Sequence, residues 1–336
     1  MRALIRDNDN NIKTADIPEP YILNEDDVKI RVMYSAFCRD DMRYNDKSDI
    51  FSQCGVMGHE VAGVIEDIGV YGKYAGFNIG DRVVSLPWDF CGECKYCVTQ
   101  QHQYCSEAHI TIGTMTKYII RKVRQLVKIP SDVTFRQAVL MEPVGCVLEA
   151  ISKLSLDYDK EVLIIGGGFA GINFVRLLKM KGVKQITVIE PIAERRRCAI
   201  SYGADYSLDP NDMEIQLKLS EICRYNGFDI IIETSSHIEM LEKSLGFLCR
   251  GGTLQIFTYY GSFEKISFPS LNMYSSNIRV IWSCLCGIRS IKNASYIISK
   301  LSLEDLITKE YNFSNVMQAF EKYKKYEHMK VGVKFY

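Results

Sequence analysis

Glu161-Val-Leu-Ile-Ile165-Gly166-Gly-Gly168-Phe169-Ala170-Gly171 decides the fold of this chain. A short apolar run ending in glycines reads as a buried strand that stops at a turn. The glycines fit G-x-G-x-x-G, and a helix over residues 170–181 follows, stopped by Gly182. The pattern alone is weak; directly after a strand and before a helix it marks a dinucleotide-binding unit. Gly166 allows the tight turn. Gly168, leading into Phe169 and Ala170, lets the backbone approach a pyrophosphate at the helix N-terminus, and Gly171 lets helix and strand pack closely. The next strand, 185–190, ends in Glu190. An acid there accepts hydrogen bonds from the ribose hydroxyls and repels a 2′-phosphate, which favours NAD. Arg195, with Arg196 and Arg197, leaves room for NADP, because an arginine can hold that phosphate.

Outward from this loop, helices and strands alternate: helix 193–202, strand 228–233 with Thr234 after it, helix 238–247, then strands 253–257 and 278–282. Strands separated by helices at this spacing predict a parallel sheet covered on both faces. Upstream the pattern changes to period two, clearest in Val28-Lys-Ile-Arg-Val-Met-Tyr34, with further strands at 1–5, 56–68 and 82–86. Helical periodicity over 138–154 leads into the alternating region. The tail carries helical segments at 294–301 and 315–325 and a last strand at 331–336. The expected fold class is therefore α/β: a doubly wound (Rossmann) domain, residues 148–285, inserted in a β-rich domain built from 1–147 and 286–336.

Composition narrows the function. The chain has 336 residues, 47% apolar and 24% charged, with a net charge of +0. Disorder is excluded as the main state. A nucleic-acid or anionic-membrane partner is not expected, since both call for a basic surplus. No stretch approaches the ~20 apolar residues of a membrane span. Acids arrive before any apolar run at the N-terminus, so no export signal is expected and the location is expected to be cytoplasmic.

Twelve cysteines then need a reason other than disulfides. Cys91, Cys94, Cys97 and Cys105 are spaced C-x2-C-x2-C-x7-C. Four thiolates at such spacing can wrap one tetrahedral zinc with no open position, a structural site that pins a loop lacking its own core. The redox reading of C-x-x-C is disfavoured, because nothing here resembles a thioredoxin-like unit. A second, dispersed set joins Cys38, His59, Glu60 and Glu142. These supply S, N and O ligands for a zinc that keeps a position open.

Taken together, Ala36-Phe-Cys38-Arg-Asp-Asp41, Gly58-His-Glu-Val-Ala-Gly63, Gly80-Asp-Arg-Val83, the four-cysteine lobe, Met141-Glu-Pro-Val144, the glycine loop and Phe228-Asp-Ile-Ile-Ile-Glu233 resemble the zinc-dependent medium-chain dehydrogenase/reductase superfamily nearly end to end. Glu142-Pro143 is similar to its sorbitol-dehydrogenase branch. The resemblance implies a GroES-like catalytic domain and two zinc ions per chain. It implies Cys38, His59 and either Glu60 or Glu142 as catalytic zinc ligands, with Asp41 orienting the histidine. Phe257, Thr258, Tyr259 and Cys284 fall on segments that face the nicotinamide in the family, and Lys330 where relatives place a basic residue on the pyrophosphate. A homodimer or homotetramer, joined at the edge strand 278–282, is also implied.

Two departures bear on chemistry. Asp40 stands where the family has a serine or threonine that relays the alcohol proton. Either Asp40 accepts that proton itself, or it merely suits a helix N-terminus. Asp41-Met-Arg43-Tyr44 has an arginine where polyol dehydrogenases have histidine. Arg43 could grip a phosphate, or face solvent. Three readings follow: an NAD(P)-linked dehydrogenase of a polyol-like secondary alcohol or its ketone, a ketose-phosphate reductase anchored by Arg43, and a non-catalytic nucleotide-binding scaffold.

Overall fold

Glu161–Ile165 lies inside a six-stranded sheet, in a computed structural model that describes residues 1–42, 54–261 and 264–336. From edge to edge the strands are Tyr206–Leu208, Gln185–Ile189, Glu161–Ile165, Phe228–Glu233, Leu248–Ile256 and Arg279–Trp282. All neighbouring pairs are parallel. Numbered along the chain this is 3-2-1-4-5-6, the doubly wound order, and it reverses between Glu161–Ile165 and Phe228–Glu233. One sheet face buries Leu163, Ile165, Ile189, Ile231, Leu254 and Ile256 against Leu219 and Leu241, which come from helices Ile215–Ile222 and Ile238–Ser244. Full burial of such side chains stabilises by about 1.5–3 kcal/mol each.

This sheet belongs to a unit spanning Cys146–Leu285; Met1–Gly145 and Cys286–Tyr336 make the other. The second unit is β-rich and GroES-like. Its main sheet runs Leu126–Lys128, Arg82–Ser85, Glu60–Ile68, Asp27–Ala36, Lys330–Lys334 and Ile307–Asn312, with Tyr118–Lys122 also paired to Asp27–Ala36. The alternation in Asp27–Ala36 turns Val28, Ile30 and Val32 into a core with Val61, Ile65, Val83, Ile119 and Leu126. The last strand, Lys330–Lys334, enters this sheet beside the first long one, so the two ends of the chain complete one domain.

Several elements differ from expectation. The run 56–68 is broken at Gly58, whose φ of +89° no strand accommodates. The helix expected at 294–301 lies at Ile288–Ser295, followed by a short 3-10 turn at Ile298–Lys300. Its buried face is Ser290, Ile291, Ala294 and Ser295, and the apolar stretch 297–301 that suggested a helix closes into the 3-10 turn instead. The helix expected at 238–247 ends at Ser244. The edge strand Tyr206–Leu208 and the helix Ile215–Ile222 carry too weak a pattern to be read. Among the described residues no helix is long and apolar enough to cross a membrane.

Candidate metal centre and dinucleotide loop

Three strands of the β-rich unit converge where Cys38 leaves the sheet. Ala36 pairs with Glu60 on one side and with Gly332 on the other. Gly58 carries the left-handed turn that sets His59 and Glu60 at the strand end. A Cβ at Gly58 would lie 2.5 Å from Thr114 Oγ1, so only glycine fits. Glu142 comes from the first turn of the helix Met141–Ser152. His59, Glu60 and Glu142 are all buried.

Candidate ligand atoms gather in two overlapping sets. Cys38, Asp40 and His59 lie within 4.8 Å of one another, and so do His59, Glu60 and Glu142. His59 belongs to both. Asp41 braces this arrangement from behind: one carboxylate oxygen accepts from the backbone N–H of Cys38 at 2.8 Å, and the other accepts from His59 Nδ1 at 3.0 Å. That bond occupies Nδ1, so Nε2 is the nitrogen a metal would meet. Asp40 and Asp41 open a three-residue 3-10 turn, too short for a helix dipole to account for either acid.

The electrostatics suit a cation. Burial and the neighbouring Asp40 raise the Cys38 pKa. Burial opposes a charged His59, yet Asp41 and Cys38 outweigh it and raise its pKa well above the usual range. Burial pushes Glu60 up to about 7, against the pull of Lys330 and His59. Glu60 Oε2 is buried with no hydrogen-bond partner. A pocket that crowds a thiol, an imidazole and several carboxyl groups together has the donor set of a metal site. S, N and O donors of this kind fit zinc.

Lys330 has a partner other than the pyrophosphate expected for it. Its buried ammonium donates to Glu60 Oε1 at 2.7 Å and to the Phe37 carbonyl at 3.4 Å. The pairing of Lys330–Lys334 beside Asp27–Ala36 brings it there. Arg43 and Tyr44 lie outside the described residues.

The four-cysteine lobe is equally well formed. The sulfurs of Cys91, Cys94, Cys97 and Cys105 all lie within 4.8 Å of one another. Cys91 is 3.8 Å from Cys97 and 3.6 Å from Cys105, close to the ~3.8 Å edge of a tetrahedron with Zn–S of about 2.3 Å. Backbone N–H groups of Cys91 and Cys94 point at Cys105 and Cys91 sulfurs. Bonds to the Cys97 backbone lower Cys94 to about 6, whereas burial raises Cys97 to about 12. Beneath the lobe, Asp89 takes Arg124 in a bidentate pair, 2.6 Å at each oxygen.

In the other unit the glycine loop behaves as its spacing demands. Gly166 has φ of +101°. A Cβ at Gly171 would lie 1.9 Å from the Gly166 carbonyl oxygen, while at Gly168 it would meet nothing within 4 Å. The helix Phe169–Met180 starts at Gly168 with no side-chain cap, the arrangement that turns a helix N-terminus toward an anion. Glu190 accepts from Gly167 N–H at 2.7 Å and Ile192 N–H at 3.0 Å, fixing the carboxylate beside the loop. Arg196 is committed to Asp209 and to the Glu190 and Pro191 carbonyls, and Arg197 reaches toward Glu194. Arg195 makes no ion pair among the described residues.

Thr234 supports the loop from the neighbouring strand, donating to the Ile165 and Gly166 carbonyls. Phe257 packs edge-on to Phe174, and Thr258 bonds to Ser236. Tyr259 and Cys284 are exposed. One supporting residue escaped the sequence reading. Buried Glu233 accepts from Ser235 and Ser236 N–H and from the Tyr260 hydroxyl at 2.6 Å. The signal was present: like Glu190, it is an acid ending an apolar strand next to the loop.

A doubly wound dinucleotide unit and a GroES-like unit with two clusters of candidate metal ligands in one chain define a zinc- and NAD(P)-dependent dehydrogenase. Comparison with known proteins agrees. Residues 24–131 match the alcohol dehydrogenase GroES-like domain and residues 170–300 the zinc-binding dehydrogenase family. The chain belongs to the zinc-dependent medium-chain alcohol/polyol dehydrogenase superfamily. It is 27% identical to a sorbitol dehydrogenase of Halalkalibacterium halodurans, covering 98% of each chain. It is also 27% identical to an L-threonine 3-dehydrogenase of Pyrococcus horikoshii, over 91% of this chain and 90% of that one. The fold is shared with an alcohol dehydrogenase of Thermus sp. ATN1, at TM-score 0.88 and 18% identity over 99% of both chains.

Proposed function

We propose that the chain exchanges a hydride between NAD(H) and a secondary alcohol or ketone of a polyol-like substrate. The observation that carries this is the pair of donor sets, Cys38 with Asp40 and His59, and His59 with Glu60 and Glu142, that meet at His59 and are braced by Asp41. Cys38, His59 and Glu142 hold the catalytic zinc. Glu60, already neutralised by Lys330, stands by with its second oxygen. Bound zinc supplies Lewis acidity that lowers the pKa of an alcohol hydroxyl, and the dinucleotide supplies the hydride acceptor. Asp41 orients His59, and Asp40, beside Cys38 and His59, is placed to take the hydroxyl proton. The glycine loop and the helix Phe169–Met180 hold the pyrophosphate, and Glu190 the ribose. The fixed Glu190 carboxylate favours NAD over NADP, with Arg195 the one arginine of its run left to oppose it. Phe257, Thr258, Tyr259 and Cys284 are assigned to the nicotinamide. Cys91, Cys94, Cys97 and Cys105 hold a structural zinc.

The likeness to a sorbitol dehydrogenase over the whole chain supports a polyol; that to an L-threonine 3-dehydrogenase supplies the competing substrate. Nothing described favours a phosphate ester, and the intact donor set argues against a scaffold. The open edge Arg279–Trp282, with Trp282 52% exposed, supports assembly through that strand into a dimer or tetramer. A cytoplasmic location suits an enzyme with free thiols. The test is NADH formation at saturating NAD with a hexitol, a pentitol, their phosphate esters and L-threonine. Turnover of the free polyols is expected. Turnover of threonine or an ester alone would overturn the substrate assignment.

A further inference from the structure

We propose that Asp40 is itself a ligand of the catalytic metal, occupying the position that a substrate oxygen must take. The inference rests on the metal site proposed above and adds a residue to it. On the Cys38 side of that site, the atoms within 4.8 Å of one another are those of Cys38, Asp40 and His59; neither glutamate joins this set among the described residues. The two adjacent aspartates are sorted by what they touch. Both oxygens of Asp41 are taken, by the Cys38 N–H and by His59 Nδ1. Asp40 instead brings its carboxylate to the cysteine sulfur and the ligating histidine, the place of a donor and not of a brace.

The chemistry fits. A thiolate, a neutral imidazole and a carboxylate from Glu142 leave one corner of a tetrahedron for an oxygen. A carboxylate two residues from the cysteine fills that corner at small entropic cost, because the Cys38 carbonyl accepts from Asp41 N–H at 3.2 Å and so fixes Cys38 to the turn that carries Asp40. Three anionic ligands then overcompensate a divalent charge, so Asp40 is the ligand most easily exchanged for a substrate oxygen. Once displaced, the same carboxylate stands within reach of the hydroxyl proton. A serine or threonine at this position could relay a proton but would not compete as an anionic ligand.

Asp40→Asn and Asp40→Ser, compared with the unchanged protein, test this on three readouts that need no turnover: zinc content, zinc retention against a chelator, and the visible d–d bands of the cobalt-exchanged protein. Expected are two zinc ions in each protein as purified and catalytic zinc held more than about tenfold less tightly in both variants. Loss of a mere outer-shell partner also costs roughly 10–100-fold. The deciding result is therefore a shift of the cobalt d–d bands, as water replaces a carboxylate. Unshifted bands in both variants, with folding intact by circular dichroism, would overturn the assignment while leaving the metal site standing. A wild-type protein holding a single zinc, removed by Cys97→Ser, would instead sink the metal site on which the inference rests.

Discussion

Gly168 and Gly171 are the same residue type three positions apart, yet the structure gives them opposite tasks. Space around a Cβ at Gly168 is open, whereas at Gly171 the Gly166 carbonyl already fills it. Gly168→Ala is expected to fold with a stability loss within about 1 kcal/mol but to weaken NADH binding at least about tenfold, or 1.4 kcal/mol. Gly171→Ala is expected to lose both stability and binding. Thermal melts and NADH fluorescence titration separate the two, and equal behaviour would contradict the assignment of Gly168 to the pyrophosphate. The Glu60–Lys330 pair gives a second residue-scale prediction. Both partners are buried, so Lys330→Met strands a carboxylate and should cost about 3–5 kcal/mol in chemical denaturation. A loss under about 1 kcal/mol would show that the pair behaves as a solvent-exposed one.

At the scale of elements, the cysteine lobe between Asp89 and His109 has little regular structure: short helical turns and the two-residue strands Trp88–Asp89 and His109–Ile110. Metal coordination has to replace a core here. Cys97→Ser should lower the zinc content from two ions to one and make the 91–105 segment the first site of proteolysis. Retention of both ions would refute a structural zinc. The turn before strand Asp27–Ala36 predicts an acid response. Burial raises the Asp27 pKa, but Lys122 at 2.8 Å and the N–H groups of Leu23 and Asn24 outweigh it and leave it lowered. A depressed carboxylate contributes stability that is full above its unfolded pKa, about 3.9, and is lost as pH falls through the lower folded value. Asp27→Asn should therefore narrow its stability difference from the unchanged protein below about pH 4; a difference constant from pH 7 to pH 3 would exclude this source.

The whole molecule is two units of different construction, and the assembly proposed above would use an edge of one of them. The sheet in Cys146–Leu285 ends in Arg279–Trp282 with nothing beyond it among the described residues, and nearby Leu271 and Tyr274 are 74% and 86% exposed. Trp282→Glu should shift the protein to a monomer by light scattering without altering the fold; an unchanged oligomer would place the interface elsewhere. The two ends of the chain are bound together in the other unit, where Gly332 pairs with Ala36. Removing the last strand would uncover the sheet edge beside Cys38 and take Lys330 from Glu60.

What the sequence by itself determined is local in the chain. The glycine loop, the cysteine spacing and the period-two strands are read within a few residues, because turn geometry, ligand bite and pleat all act at short range. The doubly wound sheet was legible on that basis; Cys38, His59, Glu60 and Glu142 lie far apart in the chain and were named only as a dispersed set, whose atoms the fold gathers into two overlapping clusters. The helix Ile288–Ser295 was misplaced because the more apolar stretch after it, which forms a 3-10 turn, drew the reading, and Glu233 was given no task because its partners come from loops. Only the tertiary structure decided that Lys330 answers Glu60, that Asp41 also takes the Cys38 N–H, and that Asp40 turns toward Cys38 and His59. Those outcomes depend on which strands lie side by side and which way a three-residue turn rotates two identical side chains. Neither quantity has a local signal, because sheet pairing joins residues hundreds of positions apart and is set by the packing of the whole domain.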